Sequence, residues 1–225
     1  MPFYAKPSGG YAINSLEGTA NIKAVYDYLN PLGYSDDAIT GILGNVYGES
    51  ALNPWLWENN TVTYSGGYGL LQFTPASEYI NASWIPNHAP NESTTEAQPG
   101  ASPDDALGQL YALVNDSFGK WVGTCWRSYW DPNDYPDLYL KHTYILNTYG
   151  NGSRISMNDF KSISDYSDAT FAFLACYEGP AVPNYLQRLG YAYDIKQIID
   201  DLSGFDILFL KKFFIERQFK NVYKH

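Results

Sequence analysis

The sequence predicts a mainly α-helical fold of the α+β kind: a helical domain with a small β-hairpin or loop wall beside a cleft. Three observations support this prediction. Apolar residues recur at spacings of three and four along most of the chain, which is typical of helices with one buried face. Capping residues and prolines bound these segments. One short segment, residues 57–67, combines β-branched and aromatic residues before a glycine pair, which favours the hairpin or loop.

The chain divides into three parts by composition. Residues 1–15 are rich in glycine, proline and tyrosine and are predicted to form an extended arm. Residues 16–202 have the length and apolar content of one globular domain. Residues 203–225 are aromatic and basic in a chain of net charge -10. We expect this last part to be an amphipathic attachment segment, because its apolar side chains would wrap more than half of a helix and need a partner.

Two helices open the domain. The first is predicted at residues 16–30. The second begins at the N-cap residue Ser35 and ends before the Asn53-Pro54 step, because the residue before a proline leaves the helical region. Gly41 and Gly44 lie inside this second helix, and each costs about 1 kcal/mol relative to alanine. Close packing against another backbone is the expected reason for them.

The remaining elements follow from the same kinds of signal. An exposed loop is expected at residues 85–105, which are rich in Pro, Ser, Thr and Asn. The aromatic block of residues 121–130 is interpreted either as the opposite wall of the cleft or as a core-packing helix, and residues 135–149 as irregular or weakly helical. Further helices are predicted at residues 78–84, 104–118, 157–163, 164–180 and 182–202.

One acidic residue lies where an ordinary glutamate is unfavourable. Glu49 is near the C-terminal end of the second helix, where the negative end of the helix dipole disfavours a carboxylate. Three aromatic residues, Tyr47, Trp55 and Trp57, are close in sequence and would keep such a site dry. A glutamic acid that stays protonated near neutral pH is what the general acid of glycosidic cleavage requires. The alternative is a solvated glutamate at a frayed helix end.

Two motifs in order favour the first interpretation: GILGNVYGESALNP at residues 41–54 and GYGLLQFTP at residues 67–75. The first resembles the Glu-Ser motif of goose-type lysozymes and lytic transglycosylases, and the second resembles the Gly-x-x-Gln motif that follows it. Both are most similar to the phage tail lysozymes, the wall-degrading domains in tail proteins of phages that infect Gram-positive hosts. Phe73 stands where that family more often has tryptophan. The resemblance covers residues 15–200.

The resemblance implies a lysozyme-like fold and muramidase activity, which is hydrolysis of the β-1,4 bond between N-acetylmuramic acid and N-acetylglucosamine in peptidoglycan. Glu49 would be the catalytic acid. Gln72 and the backbone of the 66–70 turn would hold the N-acetyl group of the sugar. The aromatic residues expected to line the sugar site are Tyr68, Phe73, Trp55 and Trp57.

The sequence leaves a second carboxylate open. Glycosidases commonly use two acids, and between Ala38 and Pro103 the chain has no aspartate. Glu58 is the nearest candidate for a second catalytic acid. The resemblance also allows a mechanism with one glutamate, in which water or a hydroxyl group of the substrate completes the reaction. Hydrolysis and transglycosylation therefore both stay open.

Glu178 is a further candidate, for binding the substrate. The segment Tyr177-Glu178-Gly179-Pro180 resembles a Tyr-Glu-Arg-Pro step of the tail lysozymes, with glycine in place of the arginine. A supporting role in the cleft is one interpretation of this glutamate. A hydrogen bond between its carboxylate and a neighbouring backbone amide at the helix end is an equally good one.

Composition argues against several other classes. The net charge of -10 and an isoelectric point near 4.6 argue against nucleic-acid binding. The chain has no run of about 20 apolar residues, so no transmembrane segment is predicted. No secretion signal is apparent. His88, His142 and His225 are scattered, so neither a metal site nor a cofactor is expected. Cys125 and Cys176 could pair, but two buried thiols are the commoner state in a protein made in the cytoplasm.

The resemblance implies an enzyme of the phage tail that locally opens the host cell wall during infection. Its expected partners are peptidoglycan glycan strands and other tail proteins. Its expected location is the virion tail, after synthesis in the host cytoplasm without a signal peptide. Two alternatives stay open: a non-catalytic tail structural or glycan-binding module with the same fold, and a lytic transglycosylase of bacterial origin.

Overall fold

The computed structural model of the protein describes the backbone of residues 2–222 and the side chains of residues 2–203. Within this range the chain is mainly helical, which confirms the predicted fold class. Only two isolated antiparallel bridges, Trp57 with Tyr68 and Tyr68 with Phe73, represent β-structure there, so the cleft wall is a loop. The eight α-helices of the described chain are α1 (Leu16–Leu29), α2 (Asp36–Ser50), α3 (Ala76–Ile80), α4 (Asp105–Val114), α5 (Pro136–Thr148), α6 (Met157–Lys161), α7 (Tyr166–Phe173) and α8 (Tyr185–Val222).

Helix α2 lies at the centre of the domain, where it packs mainly against α7 and α8 and also contacts α1. The side-chain oxygen of Ser35 accepts a hydrogen bond from the backbone N–H of Ala38, so the predicted N-cap is confirmed. The helix ends at Ser50 and is capped by Ala51 in the left-handed region at φ 44°. Its buried apolar stripe is Ile39, Ile42, Leu43 and Val46, as the periodicity predicts.

The two glycines of α2 are the points of closest approach between helices. A Cβ atom on Gly41 would lie 2.5 Å from the backbone carbon of Ala169 in α7. A Cβ atom on Gly44 would lie 2.7 Å from the Cβ of Ala192 and 2.9 Å from the carbonyl oxygen of Arg188, both in α8. The prediction of close backbone packing is therefore confirmed, and these glycines let α2 sit deep between its neighbours.

We expect Gly41→Ala to lower the free energy of unfolding by about 1–3 kcal/mol, because the added methyl group meets backbone that cannot move aside cheaply. The matched control is Gly190→Ala in α8, where no heavy atom beyond the chain neighbours and the local helix backbone lies within 4 Å of the added methyl group. That change should stabilise the protein by about 0.5–1 kcal/mol through helix propensity. Urea unfolding measures both, and equal effects of the same sign would contradict the packing argument.

Several predicted elements differ from the structure. Residues 136–148 form the regular helix α5, where an irregular or weakly helical segment was expected. The aromatic block of residues 121–130 contains no helix and forms turns instead, so neither interpretation of it holds in full. Helix α8 begins at Tyr185 and its backbone continues to Val222, well beyond the predicted end at residue 202. The attachment role predicted for residues 203–225 concerns side chains that lie, after Ser203, outside the described residues.

The long loop after α3 is less exposed than its composition predicts. Asn91 is fully buried, and its side chain bonds to the backbones of Ser93, Glu96 and Gln98. Asp105, also fully buried, accepts a hydrogen bond from the backbone N–H of Ala89. Hydrogen bonds from two buried polar side chains therefore order this loop, which has few apolar residues to pack.

The N-terminal arm also packs on the domain. Phe3 is 4% exposed and belongs to the hydrophobic core. The backbone of Tyr4 exchanges two hydrogen bonds with the side chain of Asn21 in α1, at 2.8 and 2.9 Å. The arm thus adds to the core although it has no regular secondary structure.

The two cysteines correct the expectation of separate thiols. Cys125 and Cys176 are fully buried and form a disulfide, with their Cα atoms 4.3 Å apart. The bond joins the turn region, residues 115–135 between α4 and α5, to the segment that follows α7. In the part of the chain that the structure describes, no helix has both the length and the apolar character needed to cross a membrane.

Candidate active site

An open cleft of about 540 Å³ runs beside the C-terminal end of α2. The loop of residues 56–60 and the turn of residues 67–74 form one side of it. Residues 177–180, which come shortly after α7, form the other side. Six of the eight sequence-predicted site residues line this cleft. They are Glu49, Trp57, Glu58, Gln72, Phe73 and Glu178.

Glu49 forms an ion pair with Arg188, which reaches across from α8. Its side chain is 20% exposed, and it opens to the cleft. The guanidinium is fixed by a second hydrogen bond, from Nη1 to the carbonyl oxygen of Asn45 at 3.0 Å. The guanidinium passes close to Gly48, where a Cβ atom would lie 3.2 Å from Nη1. The carboxyl group at the end of α2 is therefore held in one position and faces substrate space.

The aromatic shell expected around Glu49 is thinner in the structure. Tyr47 packs edge-on against Tyr191 of α8, with 4.6 Å between the ring centroids. Trp55 donates its indole N–H to the carbonyl oxygen of Ser102, away from the cleft. Of the three aromatic neighbours, Trp57 shares the cleft with Glu49.

Glu58 has a structural partner within the cleft wall. Its Oε2 atom accepts the backbone N–H of Gly67 at 2.9 Å, and the backbone N–H of Glu58 donates to the carbonyl oxygen of Gly67 at 2.9 Å. This double contact joins the 56–60 loop to the glycine-rich turn. In the structure Glu58 therefore holds the wall of the cleft together.

Gln72 uses its side chain on the turn that it closes. Its backbone is left-handed at φ 44°, and its amide nitrogen donates to the carbonyl oxygens of Leu56 and Gly69, each at 3.0 Å. A Cβ atom on Gly67 would lie 2.6 Å from Oε1 of Gln72, which explains the glycine there. The Gly-x-x-Gln motif therefore builds a fixed turn beside the cleft, in which the backbone N–H of every residue from 66 to 70 already donates a hydrogen bond within the protein.

The four aromatic residues predicted to line the sugar site separate into two pairs. Phe73 and Trp57 line the cleft but are only 2% and 1% exposed. Tyr68 is fully buried, and its hydroxyl group donates to Asp105 at 3.2 Å. Trp55 is 5% exposed. The structure thus places Tyr68 and Trp55 in the core and not at the cleft surface, because buried hydrogen-bond acceptors satisfy their polar atoms.

Glu178 ends a π-helical segment, Leu174–Glu178, and lines the cleft opposite the glycine-rich turn. Its Oε1 atom is buried and has no hydrogen-bond partner among the described residues, so the interpretation as a backbone-bonded helix end is not what that atom shows. Burial, and then the nearby charge of Glu49, raise the pKa of Glu178 well above its ordinary value. This carboxyl group therefore keeps its proton to a higher pH than an ordinary glutamate does.

Side chains from the turn region hold the segment that carries Glu178. Arg127 donates from Nε to the carbonyl oxygen of Ala175 at 2.9 Å and from Nη2 to that of Tyr177 at 3.0 Å. A Cβ atom on Gly179, at φ +55°, would lie 2.2 Å from Nε of Arg127. The guanidinium of Arg127 thus occupies the space next to the position where the family pattern has its arginine.

Three residues that position the site were missed in the sequence. Arg188 carries no local signal, because its partner Glu49 is 139 positions away. Ser50 belongs to the Glu-Ser motif and donates to the carbonyl oxygen of Leu70 at 3.1 Å, which ties α2 to the turn. Gln109 of α4 accepts the backbone N–H of Leu70 at 2.6 Å and is fully buried. A buried glutamine on an apolar helix face is the one signal that points to such a role.

Metal ligation has no support at the cleft. Across the described part of the chain, no group of three or more His, Cys, Asp or Glu side chains is arranged to hold an ion. In that part of the chain, the acidic and basic side chains that line the cleft are those of Glu49, Glu58, Glu178 and Lys120.

Two comparisons with known proteins bear on this site. A family model described as phage tail lysozyme matches residues 20–199. Morphogenesis protein 1 of Bacillus phage B103 is 28% identical over 190 residues, which cover 83% of this chain and 40% of that protein. The chain thus spans about 40% of the length of this curated relative. Every residue that lines the cleft falls inside the range matched by the family model.

Proposed function

The chain belongs to the phage tail lysozyme family, and from this premise we propose that it cleaves the β-1,4 bond between N-acetylmuramic acid and N-acetylglucosamine in peptidoglycan. One observation carries the proposal: Glu49, the acid of the family's Glu-Ser motif, lies fixed in an open cleft beside the Gly-x-x-Gln turn. A cleft of about 540 Å³ is of the size that takes a small ligand or a short stretch of glycan.

In this proposal Glu49 protonates the glycosidic oxygen as the bond to the sugar's C1 breaks. Gln72, which lines the cleft, contacts the N-acetyl group. The 66–70 turn supports Gln72 and does not bind the sugar itself, because its backbone N–H groups already donate within the protein. Phe73 and Trp57 form the apolar floor under the sugar rather than an exposed stacking platform. Water then adds to C1, so the reaction is hydrolysis.

We place the protein in the virion tail, where it opens the host wall locally during infection. The name of the relative from phage B103, a morphogenesis protein, supports a role as a part of the virion. The net charge of -10 disfavours simple electrostatic docking on an anionic wall, so other tail proteins would hold the enzyme near its substrate. Attachment through residues 203–225 is the corresponding proposal for the end of the chain.

The test is mass spectrometry of the fragments released from purified peptidoglycan. New reducing ends on N-acetylmuramic acid support hydrolysis as proposed. Products with 1,6-anhydro ends would instead show lytic transglycosylation through the same glutamate. Binding to peptidoglycan without any new ends would show a non-catalytic module and overturn the proposal.

The role of Glu58 can be separated from that of Glu49. We expect Glu58→Gln to lower the cleavage rate by no more than about tenfold, because the amide oxygen still accepts the N–H of Gly67 through a neutral hydrogen bond. Initial rates on purified peptidoglycan measure this. A loss as large as that of a Glu49 variant would identify Glu58 as a nucleophile or base.

A further inference from the structure

Two carboxyl groups share the cleft in opposite surroundings. Glu49 forms an ion pair with the guanidinium of Arg188. Oε1 of Glu178 is shielded from solvent and has no hydrogen-bond partner among the described residues. A buried carboxylate without a partner would be costly, whereas a buried neutral carboxyl group is tolerated. These surroundings favour a proton on Glu178, the carboxyl group that the proposed mechanism has not used.

We propose that Glu178 is a positioning residue that stores the proton and supplies it to Glu49 for transfer to the glycosidic oxygen. This inference rests on the proposed glycosidic cleavage. It explains how a glutamate in an ion pair can act as an acid, because Glu49 must gain a proton before it can donate one.

The transfer conserves atoms and charge. The O–H bond of Glu178 breaks and an O–H bond forms on Glu49, directly or through one water molecule, while the single negative charge of the pair moves to Glu178. Glu49 then protonates the glycosidic oxygen, and the electron pair of the broken C1–O bond stays on that oxygen. Water adds its hydroxyl group to C1 and releases a proton that restores the neutral Glu178.

The charged groups around Glu178 are compatible with a carboxyl group that is neutral at rest and briefly ionised during proton transfer. Glu49, from α2, favours the neutral state of Glu178 by like-charge repulsion. Arg188 from α8, and Arg127 and Lys120 from the turn region, favour the negative state. Arg188 acts on both carboxyl groups, so it can stabilise the charge on either side of the transfer. The other titratable neighbour is the buried Tyr177, whose pKa is raised by burial and then by Glu178, so it stays neutral.

Side-chain hydrogen bonds hold the backbone on both sides of Glu178, which favours a fixed position for its carboxyl group. The hydrogen bonds from Arg127 fix the carbonyl oxygens of Ala175 and Tyr177 on its N-terminal side. On the other side, the indole N–H of Trp130 donates to the carbonyl oxygen of Pro180 at 2.9 Å. A π-helical turn held from both sides is a frequent feature of functional sites.

The test is the pH profile of cleavage by Glu178→Gln. The amide has the shape and neutrality of the resting carboxyl group but cannot give up a proton. Glu49 must then take its proton from solvent, against the ion pair with Arg188. We expect the alkaline limb of the rate profile to move at least one pH unit toward acid, so the rate at pH 7 falls about tenfold or more, while the rate at acid pH approaches the parental rate.

Two variants make the result specific. Glu178→Asp keeps a carboxyl group and should restore part of the rate at pH 7. Glu96→Gln makes the same chemical substitution at an exposed loop position and should keep the parental profile. An unchanged profile in Glu178→Gln, or a loss of equal size at every pH, would overturn the proposal, because the first shows a spectator and the second a structural role.

A second readout does not depend on activity. Because the pKa of Glu178 is raised in the folded state, the native protein keeps a proton that the unfolded chain releases near the ordinary value of 4.5. The contribution of Glu178 to stability is thus complete below that value and is lost as the pH rises toward the folded pKa. The free energy of unfolding should fall more steeply with pH in the parental protein than in Glu178→Gln.

Equal slopes in the two proteins would show that Glu178 stores no proton and would overturn the inference. If the parental protein releases no new glycan ends at all, the proposed cleavage fails first. The slopes then still decide, on their own, whether Glu178 is the protonated member of the pair.

Discussion

Replacing Glu49 by glutamine is expected to lower the rate of peptidoglycan cleavage by about 10²–10⁴-fold, the usual contribution of a general acid. The amide keeps the shape of the side chain, and its oxygen can still accept a hydrogen bond from Arg188. It cannot donate a proton to a leaving group. Release of reducing ends from purified peptidoglycan measures the rate, and co-sedimentation with the same material measures binding.

Three controls define this result. Glu96→Gln changes the same functional group at an exposed position and should cleave at the parental rate. Glycan binding by Glu49→Gln should persist, because Gln72, Phe73 and Trp57 line the cleft independently of the acid. Urea unfolding should show that the variant is folded. If Glu49→Gln clears cell walls at close to the parental rate, the assignment of the acid is wrong.

The part of the fold that could be predicted is the part that local physics decides. The N-cap at Ser35, the apolar stripe of α2 and the close approach at Gly41 and Gly44 all follow from spacing and from the cost of glycine in a helix. Each of these signals lies within a few residues of its effect. The central helix was therefore predicted closely, and with it the place of Glu49.

The rest of the site depends on partners that are distant in sequence. Arg188 approaches Glu49 only because α2 packs on α8, and nothing within either helix announces this contact. Tyr68 and Trp55 illustrate the same limit in the other direction. Their aromatic character fits a sugar platform and a core equally well, and buried acceptors on Asp105 and Ser102 decided for the core. Polar networks of this kind cannot be read from composition.

The exposure of the long loop at residues 85–105 was also predicted wrongly from its length and composition. A segment rich in Pro, Ser, Thr and Asn predicts exposure, but Asn91 shows how a single buried amide can organise such a segment through several backbone hydrogen bonds. The prediction of two free thiols rested on synthesis in the cytoplasm, where disulfides are rare. The fold brings Cys125 and Cys176 together across 51 positions, and compartment alone does not anticipate that geometry.

Reduction of the Cys125–Cys176 disulfide is expected to lower the free energy of unfolding by about 2–4 kcal/mol. The bond closes a loop of 51 positions, and its loss enlarges the ensemble of unfolded conformations. In the folded state it joins the turn region, which has no helix of its own, to the π-helical segment beside Glu178. The backbone N–H of Val122 also donates to the carbonyl oxygen of Cys176 at 2.6 Å, so the two segments are in contact around the bond.

Urea unfolding with and without a thiol reductant measures this effect. The double variant Cys125→Ala/Cys176→Ala is the matched control: it should start at the lower stability and should not respond to the reductant. Alkylation of the unfolded parental protein without reductant should label neither cysteine. If both cysteines are labelled under those conditions, the isolated protein carries two thiols, and the turn region is held by its hydrogen bonds, among them those of Val122, Arg127 and Trp130.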